Sequence, residues 1–457
     1  MENEDIEKMN RGLPFLWLGL MMALFLCVLP QDLSAVEYTL ADLYRIALQN
    51  AEQIKISQEN LTIAETGKDK AMALFYPRLS SFASYTRFSQ AKYSDSTNYS
   101  TNLGSVTLPG SLIQPSESGT WGARLDESLS LSGREFTAVT ISRENIQKTT
   151  YDLESFKQEY LLNVASAYYN VLKARKNLDI ANANVERLAK YRDAAEKRLK
   201  VGEVTKTVLL RAEAELSGAL SDRMTVKNGL ELAIVQTKRV VASNEDFQIK
   251  ETPEMTIEIP AVSAFQTTAL SERSDLKGLE IQKKVAEDQV RFAKGAYWPS
   301  LSLSGVYSGA DQSPMSSTFN RESIYAGAAL NFPIFEGGLR VAEVKEARSK
   351  EKQSQLLYED LKKTIEVEVQ SAYLDLVTQK AILKFLEDQQ AFAKDNYQAI
   401  TRQFEYGLAQ SIDIIDANTL LVSAERKVAE AGYNYQAAIL KMKRATGVLL
   451  KEILAAR

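Results

Sequence analysis

Two aspartates, Asp413 and Asp416, stand three residues apart just after Ser411. On a helix that spacing puts both carboxylates on one face. Repeated around a ring of identical chains, they would form two rings of carboxylates able to draw cations to a narrowing. The plainer reading is that acids in a first helical turn, with Ser411 as N-cap, complement the helix dipole. Gly337-Gly338 precedes a helical stretch and could cradle an anion. No GxGxxG or Walker pattern follows, so the pair reads as a turn. Histidine is absent altogether. That removes Ser-His-Asp and Cys-His nucleophile arrangements, HExxH zinc sites and imidazole bases. The single cysteine, Cys27, lies in an apolar run near the N-terminus, leaving the body without a thiol for disulfide, zinc or redox chemistry. No acids are paired in a recognisable pocket motif; Glu343, Lys345, Glu346, Glu366 and Glu368 read as solvated helix faces. The expectation is therefore no enzyme, no cofactor and no metal site.

The elements that must position those aspartates span 457 residues, room for two or three domains or one elongated body with internal symmetry. Charge is balanced at 55 basic against 59 acidic side chains, so no nucleic-acid footprint is present. Residues 1–35 read as a secretory signal peptide: Lys8 and Arg11 precede an uncharged apolar run from Leu13 to Leu29, and Leu33-Ser34-Ala35 closes it. A start at Met9 would give the more regular leader. Phe25 and Leu26 before Cys27 argue against a lipoprotein site. The alternative is an uncleaved anchor, for which about 17 apolar residues is short.

Beyond the leader, prolines occur only at 77, 109, 115, 253, 260, 299, 314 and 333. The proline-free stretches, Glu117 to Thr252 and Ile334 onward, are where long helices can run. They resemble one another at a shift of 205 positions. Gly122, Ala123 and Leu125 fall on Gly327, Ala328 and Leu330; Gly133 on Gly338; Ser166-Ala167-Tyr168 on Ser371-Ala372-Tyr373; Gly202 on Gly407; Ala212 on Ala417; Leu216 on Leu421; Arg239 on Arg444. Upstream a shift near 222 places Ala47-Leu48 on Ala269-Leu270 and Tyr76-Pro77 on Trp298-Pro299. The chain is thus a tandem duplication: repeats at 36–242 and 263–457 with a linker at 243–262.

Each repeat reads helix, strand, loop, strand, long helix, turn, helix. Val369, Tyr373, Leu376, Leu383, Leu386, Ala393, Tyr397, Ile400 and Phe404 keep a seven-residue period, as do Val164, Tyr168, Val171, Leu178, Val185, Leu188, Ala195 and Leu199. That is coiled-coil packing. Helices from about Arg134 to Leu199 and Leu339 to Phe404 would each be on the order of 100 Å long. Alone, such stripes fit a solvent-exposed rod. The strands argue otherwise. They are expected at about 77–90, 119–131, 299–309 and 324–335, and Ser300 to Ser308 alternates polar with apolar over the length a tilted membrane strand requires. Tyr76, Trp121, Tyr297 and Trp298 lie near strand ends, where amphipathic rings favour a membrane interface. Polar stretches near Gln90–Ser118 and Gly309–Glu322 read as water-facing loops. Four strands cannot close a barrel, and an open edge in lipid leaves backbone groups unpaired at several kcal/mol each. Two chains would give eight strands and a filled interior, three would give twelve and room for passage.

These residues carry a resemblance to the TolC-like outer membrane efflux proteins over essentially the whole mature chain. Its carriers are the junction Asn331-Phe332-Pro333-Ile334-Phe335-Glu336-Gly337-Gly338, the segments Val201-Gly202 through Leu216 and Tyr406-Gly407 through Ala417, and the duplication with aromatic-Pro before each first strand. The resemblance implies a mainly α fold with membrane β: a homotrimer whose twelve-stranded barrel lies in the outer membrane of a Gram-negative bacterium, in contact with its lipid, continued by an antiparallel coiled-coil helical tunnel into the periplasm. It implies the passive duct of a tripartite efflux or type I secretion system, fed by a periplasmic adaptor (membrane fusion) protein and an inner-membrane transporter. By the same resemblance Asp413 and Asp416 match aspartates at the tunnel's periplasmic entrance. The turns at Val201, Gly202 and Val204 and at Tyr406, Gly407 and Leu408 would form the tip that meets a partner. This chain departs from the pattern where some members lock the entrance with polar contacts: the corresponding positions here are Phe404, Ala409 and Val208. Closure by packing or by other residues is expected instead. The rival reading is a secreted or periplasmic trimeric coiled-coil structural protein without a pore.

Overall fold

A computed structural model describes residues 36–243, 247–316 and 318–455; the expected leader lies outside the described residues. In chain order the elements are β1 (Val36–Tyr38), α1 (Leu40–Asn50), α2 (Glu52–Met72), β2 (Arg78–Arg87), β3 (Lys92–Tyr93), β4 (Thr97–Thr101), β5 (Gly104–Leu108), β6 (Leu112–Gln114) and β7 (Glu117–Ser130). Then come α3 (Arg134–Lys200), α4 (Lys206–Val241), β8 (Phe247–Ile249), α5 (Val262–Glu272), α6 (Ser274–Gly295), β9 (Ser300–Ser313), β10 (Glu322–Asn331), α7 (Leu339–Glu405), α8 (Ser411–Ala445) and α9 (Leu449–Ala455).

The long helices α3 and α7 each have 67 residues, about 100 Å at 1.5 Å per residue. Nothing inside them lacks an amide hydrogen. Each starts directly after a left-handed glycine, Gly133 (φ 72°) and Gly338 (φ 86°), which turns the chain sharply out of the sheet. The single leading helix expected in each repeat is in fact two, broken at Ala51 and Arg273, whose ψ angles of 123° and 121° leave the helical region. Neither break has a sequence signature, because both residues are ordinary helix formers.

In the half nearer the sheet, α2, α3, α6 and α7 pack side by side in that order; in the other half the order is α4, α3, α8, α7. The heptad stripes lie in these seams: Val164, Tyr168, Val171, Leu188 and Ala195 are buried in α3, and Val369, Leu376, Ala393 and Phe404 in α7. Where the two halves meet, equivalent residues of the repeats build two cores. One holds Ala47, Val164, Tyr168 and Val171, the other Ala269, Val369 and Leu376. The first core is closed by β1, which pairs in parallel with β8. The segment between the repeats is therefore not a bare linker but carries a strand that ties Val36–Tyr38 down.

Arg273 plugs the second core and is 6% exposed. It donates to Asp275 at 2.6 Å, to Glu368 at 2.6 Å and to the carbonyl of Ala445 at 3.2 Å. Burial alone would push the Asp275 carboxyl up, but its hydrogen bond to Arg273 and that residue's charge hold it below the usual range.

The strands β10, β9, β7 and β2 form one antiparallel sheet in that order. Their ends differ from the sequence expectation for identifiable reasons. β9 runs to Ser313, four residues past the expected end, because β7 starts at Glu117 and supplies it with backbone partners up to Glu117 opposite Ser313. The polar side chains of Asp311, Gln312 and Ser313 hid that extension. β10 stops at Asn331, four residues early, since its partner β9 begins at Ser300 after Pro299 and leaves nothing to pair with Phe332–Phe335. The polar loop expected at Gln90–Ser118 folds into two small pairings, β3 with β6 and β4 with β5.

Candidate duct wall and entrance

The pleat gives the sheet two unlike faces, because residues directly opposite in an antiparallel register share a side. One face carries Leu79, Ser81, Ala83, Trp121, Ala123, Leu125, Leu129, Leu301, Leu303, Tyr307, Ile324, Ala326, Ala328 and Leu330. The other carries Ser80, Ser84, Thr120, Arg124, Asp126, Ser128, Ser302, Ser304 and Ser308, with Phe82, Val306 and Tyr325 among them. An apolar face outward to lipid and a polar face inward to water is the alternation of a membrane barrel wall. No described helix is long and apolar enough to cross a membrane.

The four aromatics singled out from sequence fall at two levels. Tyr76, Tyr297 and Trp298 are exposed just before β2 and β9, next to the helices. Trp121 lies four residues inside β7, packed edge-on against Tyr307 at 5.7 Å between ring centres. The nine residue steps from Trp121 to Ser130, at about 3.4 Å each on a strand tilted by about 40°, rise roughly 24 Å, close to the apolar band of a membrane barrel. The strands simply continue past the upper aromatic level.

At the opposite end of the rods each hairpin turns in the same way. Gly202 (φ 80°) and Gly407 (φ 76°) take the left-handed conformation. Glu203 N–H donates to Arg198 carbonyl at 2.9 Å, and Leu408 N–H to Gln403 carbonyl at 2.8 Å. These bonds span the last helical turn as in a Schellman cap, which satisfies carbonyls the helix leaves free. The turn leaves apolar side chains in solvent: Tyr406 is 80% exposed, Leu408 79% and Val201 70%, with Val204 half-buried.

Asp413 accepts the backbone N–H of Gln410 at 2.8 Å. The N-cap is therefore Gln410, not Ser411, which is the first helical residue. Ser411 is drawn away because its hydroxyl hydrogen-bonds that of Tyr191 on α3. Asp416 is exposed one turn along and makes no ion pair within 4 Å among the described residues. Both aspartates lie on the side of α8 away from Ile414, Ile415, Ala417, Asn418 and Leu421, which are buried.

Phe404, Ala409 and Val208, the positions without polar groups, converge in one apolar cluster with Tyr191, Ala195, Ala212, Ile414 and Ile415. Polar contacts from α3, to α8 on one side of that cluster and to the end of α7 on the other, flank it, and sequence reasoning missed them. Arg187 donates from Nε to Asn418 at 3.0 Å and from Nη2 to Glu425 at 3.1 Å. Asn418 donates in turn to Asn184 at 2.8 Å. Arg198 lies over the Phe404 ring at 4.8 Å and donates to the carbonyl of Glu405 at 2.8 Å. No signal in the sequence could have found these pairs, since their partners lie more than 200 residues apart and the repeat relation does not link them. Among the described residues no group of three or more His, Cys, Asp or Glu is placed to hold a metal ion.

A four-stranded wall with a lipid face and a water face, standing on paired rods about 100 Å long, is the protomer of an outer-membrane duct. The profile of the family described as "Outer membrane efflux protein" matches residues 43–237 and 267–448, so the chain belongs to that family. It is 24% identical over 461 residues to the outer membrane protein TolC of Escherichia coli strain K12, covering 98% of this chain and 88% of that one. It is 23% identical over 442 residues to the alkaline protease secretion protein AprF of Pseudomonas aeruginosa, covering 93% and 87%. Its fold is similar to the crystal structure of the Campylobacter jejuni CmeC outer membrane channel, with a TM-score of 0.74 at 18% identity over 90% of this chain and 86% of that one. The chain is an outer-membrane efflux protein: its sheet lies in the outer membrane and its rods extend into the periplasm. Its role is transport, and nothing in the wall or among these relatives favours the pore-free rod.

Proposed function

We propose that three copies of this chain close into a twelve-stranded barrel and a continuous helical tunnel. The assembly passively conducts cargo from a periplasmic adaptor and an inner-membrane transporter to the exterior. One observation carries the reading: both layers end in unsatisfied edges on the same two sides. The sheet edges are β2 and β10, each a ten-residue run with no partner strand on its outer side among the described residues. The helical layer is bounded by α2 and α4 on one side and by α7 on the other. These edges expose Ile56, Ile63, Leu210, Leu220, Leu232 and Val235 on the first side and Leu356, Val367, Leu374, Phe385 and Phe392 on the second. Such unlike edges fit a head-to-tail contact that closes into a ring. Without closure, the sheet edges would leave backbone groups bare in lipid.

Within that assembly the hairpin tips form the periplasmic entrance. Asp413 caps its helix and faces away from its own chain, so the capping role and the carboxylate-ring role are compatible in one residue; Asp416, free of a capping duty, supplies the second ring. Val201, Val204, Tyr406 and Leu408 around Gly202 and Gly407 offer the partner an apolar rim. Closure rests on the Phe404 cluster and the Arg187 seam, which hold the two hairpins together. The test is purification in detergent followed by native mass spectrometry and planar-bilayer recording. A trimer with steady conductance is expected, and a strictly monomeric, non-conducting protein would overturn the reading.

A further inference from the structure

The lipid-facing side of the sheet carries one charge at its periplasmic end. Glu127 stands opposite Leu303, which in turn stands opposite Ala328, and its neighbours along the same face of β7 are Leu125 and Leu129. The other ionisable residues of that face, Arg87, Glu117, Asp311 and Glu322, lie at the far end of the sheet. A carboxylate on a lipid face is costly unless something compensates it, less so towards the interface. Among the described residues its own chain leaves one oxygen uncompensated: Oε2 of Glu127 is buried without a hydrogen-bond partner. Arg78 and Arg124 project from the opposite face, and Arg124 is engaged by Asp126 at 2.8 Å. A neighbouring copy offers no charge at this level of its β10 edge either, since the residues there are Ala326, Ala328 and Leu330, with Glu322 at the far end.

Height and shape narrow the ligand. Arg78 pairs with Asp126, so Tyr76 stands about level with Ser128, one residue step of about 3 Å from Glu127. That places the carboxylate at the inner edge of the aromatic level, just inside the apolar band and within side-chain reach of the headgroups. It opens onto a groove of about 680 Å³ whose walls include Phe75, Pro77, Leu125, Leu129 and Leu303 and whose floor is made of the small residues Gly305, Ala326 and Ala328. We propose that Glu127 binds the primary ammonium of an ethanolamine-type phospholipid of the periplasmic leaflet, one acyl chain lying in this groove. The inference deepens the membrane reading above by naming the lipid class and the residue that selects it.

The test uses the full channel extracted in detergent, exposed to equal amounts of ethanolamine and glycerol phospholipids and read by native mass spectrometry. Loss of one charge-assisted hydrogen bond corresponds to about tenfold in retention. Wild type should retain the ethanolamine lipid preferentially. Glu127→Gln should lose that preference about tenfold, Glu127→Asp should keep it, and Glu322→Gln at the far end should leave it unchanged. Equal retention by wild type, or preference surviving in Glu127→Gln, overturns the proposal. So does a preference abolished by chelating divalent ions, since the carboxylate would then hold a metal and not the lipid amine. Single-channel conductance of Glu127→Gln equal to wild type keeps this outcome separate from any failure of the duct reading.

Discussion

Cutting the α3–α8 seam at Arg187 is the most direct probe of the entrance closure proposed above. The guanidinium spends its fork on Glu425, at 3.1 and 3.4 Å, and its Nε on Asn418 at 3.0 Å. Arg187→Ala leaves Glu425 facing a gap and removes the support for Asn418, whose bond to Asn184 remains. Breaking a fully buried ion pair costs about 3–5 kcal/mol. Here the two side chains are 20% and 21% exposed, so water takes up part of the loss. A working figure of about 2 kcal/mol corresponds to about thirtyfold in the equilibrium between closed and open entrances. The assay is open probability in planar bilayers for Arg187→Ala, Glu425→Ala and the double variant. Both single variants should open more often, and the double variant should open no more than either, because the pair is already broken. If the gating of all three assembled variants matches wild type, the seam is only a packing contact. If the two effects simply add, the residues act independently and the argument from their geometry fails.

Three further outcomes follow from the structure. Replacing Asp413 and Asp416 with Ala should weaken block of the channel by multivalent cations, with Asp413→Ala alone also loosening the start of α8 by about 1 kcal/mol through the lost cap; unchanged block returns both acids to a structural role. Arg273→Ala should destabilise the second core by about 2 kcal/mol, because Asp275 loses its arginine and the Ala445 carbonyl loses a donor, while Glu368 keeps Arg444 and both carboxylates are partly reached by water; thermal unfolding followed by circular dichroism measures it, and a shift as small as that of a surface arginine refutes the account. Burial, and then the charge of Asp288, push the Glu144 carboxyl above the usual glutamate value, against weaker opposition from Lys284 and Arg291. A raised folded-state value contributes stability below the unfolded pKa and loses it as pH rises through the folded one. Glu144→Gln should therefore melt higher than wild type at neutral pH, the gap closing as the buffer approaches pH 4; a gap that widens in acid contradicts the sign.

Much of this architecture is local and so was legible residue by residue. Helix and strand declare themselves by period, turns by glycine and proline, and a duplicated chain repeats both in register. Hence the rods α3 and α7 start at Arg134 and Leu339 as their spacing implied, and the tip glycines stand where the helices end. What depends on a partner far along the chain was not legible. The extent of β9 was set by β7, the breaks at Ala51 and Arg273 by the need to turn around two cores, and the loss of Ser411 as cap by a tyrosine 220 positions away. The Arg187 seam and the bare carboxylate of Glu127 belong to the same class. A side chain's type states which interactions it can make, but only the packed chain decides which atoms come within 3 Å of it, because that distance is set by every element between them.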